Sequence, residues 1–218
     1  MMKDFIDLNG FTWKFPIHDK SFIENLETLT EYQLKQKTMI VHRPHLLDLS
    51  WVLDVGANVG LWTRWLKNNG AGRIDCFEPI ANTAACLRIN TQDLESIHIH
   101  EIGLSDANKR MMLYNLENTP DSGFYTSTPY KLFVAPYCEM QCEKLDNLNL
   151  DPTFIKVDIQ GGEMEFLIGA EETIKRCRPG FMIEGKRDDP EQDILIWLKD
   201  RGYKIECATS SDYLMVAA

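Results

Sequence analysis

From residue 51 onward the apolar positions switch repeatedly between short unbroken runs and one-face helical spacing. WVLDVG (51–56) is an apolar run closed by glycine, which predicts a strand. LWTRWLKNNG (61–70) sets Leu61, Trp62, Trp65 and Leu66 on one side of a helix, with Gly70 as its stop. RIDCFEP (73–79) predicts a second strand, and NTAACLRINTQDL (82–94) a second helix opened by the cap former Asn82. SIHIHEIGLSD (96–106) supplies a third strand, ending at Gly103 and Leu104. TFIKVDI (153–159) repeats the unit with EMEFLIGAEETIKRC (163–177), a helix with Phe166, Leu167, Ala170, Ile174 and Cys177 on one face. FMIEG (181–185) is a fifth strand, and Asp189 with Pro190 fits the N-cap and first residue of a helix over EQDILIWLKDRG. YKIECATS and YLMVAA close the chain as two strands joined by a short turn, hence antiparallel.

Two regions depart from this rhythm. Ser21 and Glu24 form a capping box for a helix over residues 22–37. Between residues 109 and 150, MMLYNL and KLFVAPYCEMQCEKL are short β-prone pieces separated by TPDSG. The repeated strand–helix unit implies an α/β fold, a mainly parallel sheet with helices on both faces and ligands at the carboxyl ends of its strands. We expect a single domain over residues 1–218. Residues 1–48 form an N-terminal extension, residues 49–218 the core, and about 109–150 a β-rich insertion.

Composition narrows the class. An apolar content of 44% suits a globular protein, and no run is long enough to span a bilayer. The start MMKDFIDLNGFTW lacks the basic opening and apolar core of a secretory signal, so a cytoplasmic location is expected. The formal charge is −10, with acids spread along the chain, which argues against a nucleic-acid surface. Cys138 and Cys142 are spaced C-x-x-x-C, but no second pair or nearby histidine completes a zinc site.

The first strand leads into Asp54-Val55-Gly56-Ala57-Asn58-Val59-Gly60. Small residues there let a ligand lie against the backbone. A dinucleotide fingerprint would need glycine at 58 and 61, where asparagine and leucine stand, and no phosphate-loop ending is present. Asp54, before the loop, suits a cationic ligand better than a pyrophosphate. S-adenosylmethionine (SAM) carries a sulfonium and an ammonium and no phosphate. Glu78 ends the next strand, where an acid about 20 residues past a glycine loop accepts ribose hydroxyls.

VLDVGANVG, FEP, IGLSD, CEKLDNL and FIKVDIQGGE occur in that order, and together they resemble the FkbM family of SAM-dependent methyltransferases. The resemblance covers roughly residues 50 to 185. It implies a class I methyltransferase fold, Rossmann-like, with a seven-stranded sheet whose last strand is antiparallel. It also implies methyl transfer to a hydroxyl of a sugar or other small natural product. By position, Asp54, Gly56, Asn58 and Gly60 would line the methionine part of SAM, with Ala57 in the same loop. Glu78 would hold the ribose, Gly103 and Leu104 would lie near the adenine, and Asp158 would face the methyl. Gln160 stands where many relatives have glutamate. The N-terminal residues match no part of the family and are expected to carry substrate-specific differences.

Three acids are candidates for the chemistry. Asp158 is the first choice as general base, although binding the SAM ammonium or capping the next helix would also explain it. Glu163 opens a helix, where the macrodipole alone favours a carboxylate. Glu184, on the same sheet edge, suits orienting a substrate hydroxyl. A divalent cation among the three is possible but is not demanded by their spacing. His98 and His100 alternate with Ile97 and Ile99 and read as structural. The aromatics of SGFYTSTPY (122–130) read as a packed loop or a lid over a sugar. The competing functions are a nucleic-acid 2′-hydroxyl methyltransferase, a SAM-binding protein without catalysis, and a nicotinamide oxidoreductase. No sequence feature fixes the acceptor or the oligomeric state.

Overall fold

The structure, a computed structural model, describes residues 2–6, 12–16, 39–115, 122–123, 135–185, 192–209 and 211–218. The helix expected over 22–37, Asp189 with Pro190, and most of the 122–130 segment lie outside these residues.

Strands β1 (Met2–Ile6) and β2 (Thr12–Pro16) pair antiparallel as a hairpin that no sequence signal had announced. The seven strands of the main sheet are β3 (Trp51–Val55), β4 (Arg73–Phe77), β5 (Ile97–His100), β10 (Phe154–Val157), β11 (Gly180–Glu184), β12 (Tyr203–Ala208) and β13 (Asp212–Ala217). Their order is β12-β13-β11-β10-β3-β4-β5, and only β13 runs against the rest. The α-helices that the described residues show in full are α1 (Leu61–Asn68), α2 (Ala81–Asn90), α3 (Glu163–Gly169), α4 (Glu171–Cys177) and α5 (Asp193–Asp200).

Side-chain alternation along the strands divides the core in two. Leu53, Val55, Phe77, Ile155 and Phe181 face α3, α4 and α5 through Phe166, Leu167, Ile174 and Leu195. Val52, Ile74, Phe154 and Met182 face the other way, against Trp62 and Leu66 of α1 and Leu87 of α2. Central strands buried on both faces explain why their sequences read as unbroken apolar runs. At β4 the buried Asp75 accepts bonds from Trp51 Nε1 at 2.8 Å and Arg73 Nε at 2.7 Å, and meets His100 Nε2 at 2.8 Å. Burial alone would raise its pKa, but these partners hold it at about 2. His100 also stacks on Phe77, with ring centroids 4.6 Å apart.

Four boundaries differ from expectation. The third strand of the main sheet stops at His100. Gly103–Leu104 forms the separate strand β6, parallel to β9 (Ala135–Glu143) in a second sheet. That four-stranded sheet, ordered β6-β9-β7-β8 with β7 (Lys109–Asn115) and β8 (Ser122–Gly123), stands between β5 and β10 in the chain. The helix expected over 163–177 is broken at Ala170 into α3 and α4. A Cβ on Gly169 would lie 1.9 Å from the Ser105 carbonyl oxygen, so this turn is pressed against backbone and a straight continuation is not used. The second helix begins at Ala81 and ends at Asn90, with Ile80 in place of Asn82 at its cap. The last helix starts at Asp193, with Gln192 at its cap.

Asn90 ties the hairpin to the core. Its Nδ2 donates to the Lys14 carbonyl at 2.9 Å and to the Val59 carbonyl at 2.8 Å, while its Oδ1 accepts from Lys14 N at 2.7 Å. One buried amide thus joins the N-terminal hairpin to the glycine loop.

Candidate active site

The loop after β3, the acid after β4, the turn after β10 and the end of β11 all lie at the carboxyl edge of the sheet, where open α/β folds bind ligands. Gly56 (φ +78°), Asn58 (φ +51°) and Gly60 (φ +94°) take left-handed backbone. Gly56 has a second constraint, since a Cβ there would lie 2.0 Å from the Asp158 carbonyl oxygen. The loop therefore touches the turn after β10 directly. Gly56 N and Ala57 N donate to Phe77 O at 3.0 and 3.1 Å, which folds the loop over the end of β4. Asn58 adopts its left-handed conformation with its own Oδ1 accepting from Val59 N at 2.7 Å.

Glu78 is only 5% exposed and sits beneath this loop. Its Oε2 accepts from Asn58 N at 3.0 Å and its Oε1 from Ile80 N at 2.9 Å. Burial raises its pKa to about 7, a rise that the two backbone donors reduce but do not cancel. The acid is thus held at the cofactor edge by backbone on both sides.

Asp54 points to the opposite face from Leu53 and Val55 and is fully buried. Its Oδ2 accepts from the Thr63 hydroxyl at 2.7 Å, and its Oδ1 lies 3.4 Å from Lys156 Nζ. Its carboxylate presents no surface, so it reaches a ligand only through the loop that it braces. Gly103 and Leu104 are buried as well. Leu104 packs into the core, and a Cβ on Gly103 would stand 3.1 Å from Cys142 Sγ. These two residues pair with β9 and do not end the strand next to β4.

Beyond β10 the turn opens with Asp158, whose side chain is one-quarter exposed. Gln160 Nε2 bridges two acids, donating to Asp158 Oδ1 at 2.8 Å and to Glu184 Oε2 at 3.0 Å. Gln160 itself holds φ +59°, a conformation a side-chain-bearing residue adopts rarely. Burial, then the charge of Asp158 and a hydrogen bond to it, push the Glu184 carboxyl up to about 10. Of the two acids, Glu184 is thus the one that burial and its neighbour push towards protonation. Glu163 turns inward: its Oε1 accepts from Ile159 N at 3.2 Å, and both oxygens accept from Gly161 N, at 3.1 and 3.0 Å. Burial raises its pKa, opposed by these donors. The sequence placed Glu163 correctly at the helix start, and its oxygens are spent on the turn.

The sequence reading missed Lys156 as a site residue. It is 4% exposed and donates to the Gly56 carbonyl at 2.9 Å. Its signal was present, since FIKVDI holds one lysine inside a strand of which every residue is buried. Among the described residues no three His, Cys, Asp or Glu side chains are grouped to hold a metal. The described cysteines are unpaired thiols.

Comparison with known proteins agrees with this fold. A relative, 2-O-methyltransferase NoeI of Sinorhizobium fredii NGR234, is 24% identical over 146 residues, 58% of this chain and 60% of its own. A structure of methyltransferase FkbM from Methylobacillus flagellatus KT superposes with a TM-score of 0.55 at 20% identity, over 76% of this chain and 42% of that one. Magnesium protoporphyrin IX methyltransferase (ChlM) from Synechocystis PCC 6803, solved with bound SAM, gives 0.56 at 12% identity, over 89% and 83%. The chain spans less than two thirds of the length of the first two. The fold is that of the class I methyltransferases. Residues 54–205, more than half of the chain, match the methyltransferase FkbM domain, and the chain belongs to that family.

Proposed function

We propose that this protein is a SAM-dependent O-methyltransferase acting on a hydroxyl of a carbohydrate or other small molecule. The observation that carries the reading is the meeting, at one sheet edge, of a glycine loop braced on Glu78 with the bridged pair Asp158 and Glu184. Family membership and the 2-O-methyltransferase named among the relatives support it. Among the described residues no helix is long and apolar enough to cross a membrane.

The residues suit SAM. The left-handed loop offers a surface without side chains, and Glu78 offers a carboxylate to paired hydroxyls. The cofactor supplies an electrophilic methyl on a sulfonium, and the protein's task is to align and activate the acceptor. Asp158, the more exposed of the two bridged acids, takes the acceptor proton. Protonated Glu184 donates a hydrogen bond, either to Asp158 or to the acceptor. Gln160 fixes the two carboxyl groups relative to each other by bonding both.

Calorimetry tests the first half of this reading. The chain should bind SAM and its demethylated product and ignore NADH; NADH binding without SAM binding refutes the reading.

Glu78 gives that binding a pH signature. Ribose hydroxyls donate to the charged carboxylate, whose pKa burial has raised to about 7. SAM affinity should therefore fall by up to about tenfold per pH unit below 7. In the free protein the sign is opposite: stability contributed by protonated Glu78 is complete below 4.5 and is lost as pH rises through 7. Glu78→Gln should bind SAM more weakly and with no slope between pH 5.5 and 7.5. A retained slope assigns the titration elsewhere.

A further inference from the structure

Lys156 lies on β10, where parallel pairing sets it directly beside Asp54 of β3. Burial disfavours its charge, but Asp54 and Asp158 more than compensate, and the amine stays an ammonium. A lysine needed only to neutralise Asp54 would be satisfied by that pair. This one reaches further. Its Nζ donates to the Gly56 carbonyl at 2.9 Å and stands 3.9 Å from Asp158 Oδ2, beyond hydrogen-bond length but within charge contact. The glycine loop and the candidate base therefore share one buried cation.

We propose that Lys156 is a positioning residue that fixes the glycine loop against Asp158 and offsets the negative charge of the site floor. The proposal rests on the methyltransferase reading and deepens it. Methyl transfer turns a sulfonium into a neutral thioether while the acceptor proton passes to Asp158, so the site keeps its net charge and positive charge shifts away from sulfur. An uncompensated Asp54 under the loop would favour the charged cofactor over its neutral product, and the ammonium 3.4 Å from that carboxylate reduces the bias. The same ammonium ties down the carbonyl of the residue that touches the Asp158 backbone.

Two ligands that differ by the sulfonium charge separate these roles: SAM and S-adenosylhomocysteine, titrated calorimetrically into the full chain. Loss of the loop anchor weakens both alike, whereas loss of the cation changes their ratio. In Lys156→Met the homocysteine compound should bind about tenfold more weakly, and the ratio of SAM affinity to its affinity should rise by on the order of tenfold. Lys156→Arg, which keeps the charge, should return the ratio to within about twofold of wild type. An unchanged ratio in Lys156→Met overturns the proposal, even if both ligands weaken. If Lys156→Met does not fold, Asp54→Asn with Lys156→Met removes the buried charges together. That double variant should lose about tenfold in affinity for the homocysteine compound relative to Asp54→Asn alone, and equal affinity overturns the proposal. Wild-type protein that binds neither ligand overturns the methyltransferase reading and the proposal with it. Wild-type binding with an unmoved ratio overturns the proposal alone.

Discussion

Asp158→Asn should lower methyl transfer to an identified acceptor by about 10²–10⁴-fold while leaving SAM affinity within a few-fold of wild type. The reason lies in what surrounds the carboxylate. Gln160 fills one of its oxygens and Lys156 faces the other, yet one-quarter of the side chain remains exposed at the edge where the methyl is expected. In the wild type, burial and the charge of Asp158 push the Glu184 carboxyl up, which leaves Asp158 as the favoured base of the pair. Glu163 cannot take that role, since both its oxygens accept backbone N–H bonds within its own turn. Asparagine keeps the shape and the oxygen that Gln160 bonds, so cofactor binding is the built-in control. Single-turnover transfer of labelled methyl, followed beside SAM calorimetry, reads both quantities. Full activity in the variant removes Asp158 from the role of base and leaves it as a cofactor contact.

Gly56→Ala should destabilise the fold by about 2–5 kcal/mol and abolish measurable SAM binding. Two independent costs meet at this residue. Its φ of +78° is disfavoured for any L side chain, and the new methyl would lie 2.0 Å from the Asp158 carbonyl oxygen. The obstacle is backbone, so no rotamer change relieves it. The strand end of β10 must retreat, taking Asp158 with it. Urea unfolding measures the first effect and calorimetry the second. Gly70→Ala is the useful contrast, because its φ is also positive, at +92°, but nothing lies within 4 Å of the added carbon. It should show only the conformational cost, about 1–2 kcal/mol, with SAM binding kept. Similar losses in the two variants would mean that the contact with Asp158 is unimportant.

These expectations rest on different kinds of knowledge. The alternation of apolar runs and helical faces was local, and it gave the order of strands and helices because each element's burial is written in its own period. The loop at 54–60, Glu78 and the Asp158 turn were legible for a similar reason: strand ends, glycines and acids are marked residue by residue. The boundaries that failed were decided by contacts between distant segments. Nothing local in EMEFLIGAEETIKRC shows that Gly169 must press on Ser105, and nothing in IHEIGL shows that Gly103 will pair with Cys142.

The sequence by itself determined the class of fold, the glycine loop and the acids available to the site. Tertiary structure alone decided what those acids touch. Pairing β10 beside β3 buried Lys156 against Asp54 and turned that aspartate away from solvent, and pairing β11 on the other side of β10 let Gln160 reach both Asp158 and Glu184. The physical reason is that a carboxylate's role depends on its desolvation and its partners. Both are set by chains far apart in sequence that meet only once the sheet has formed.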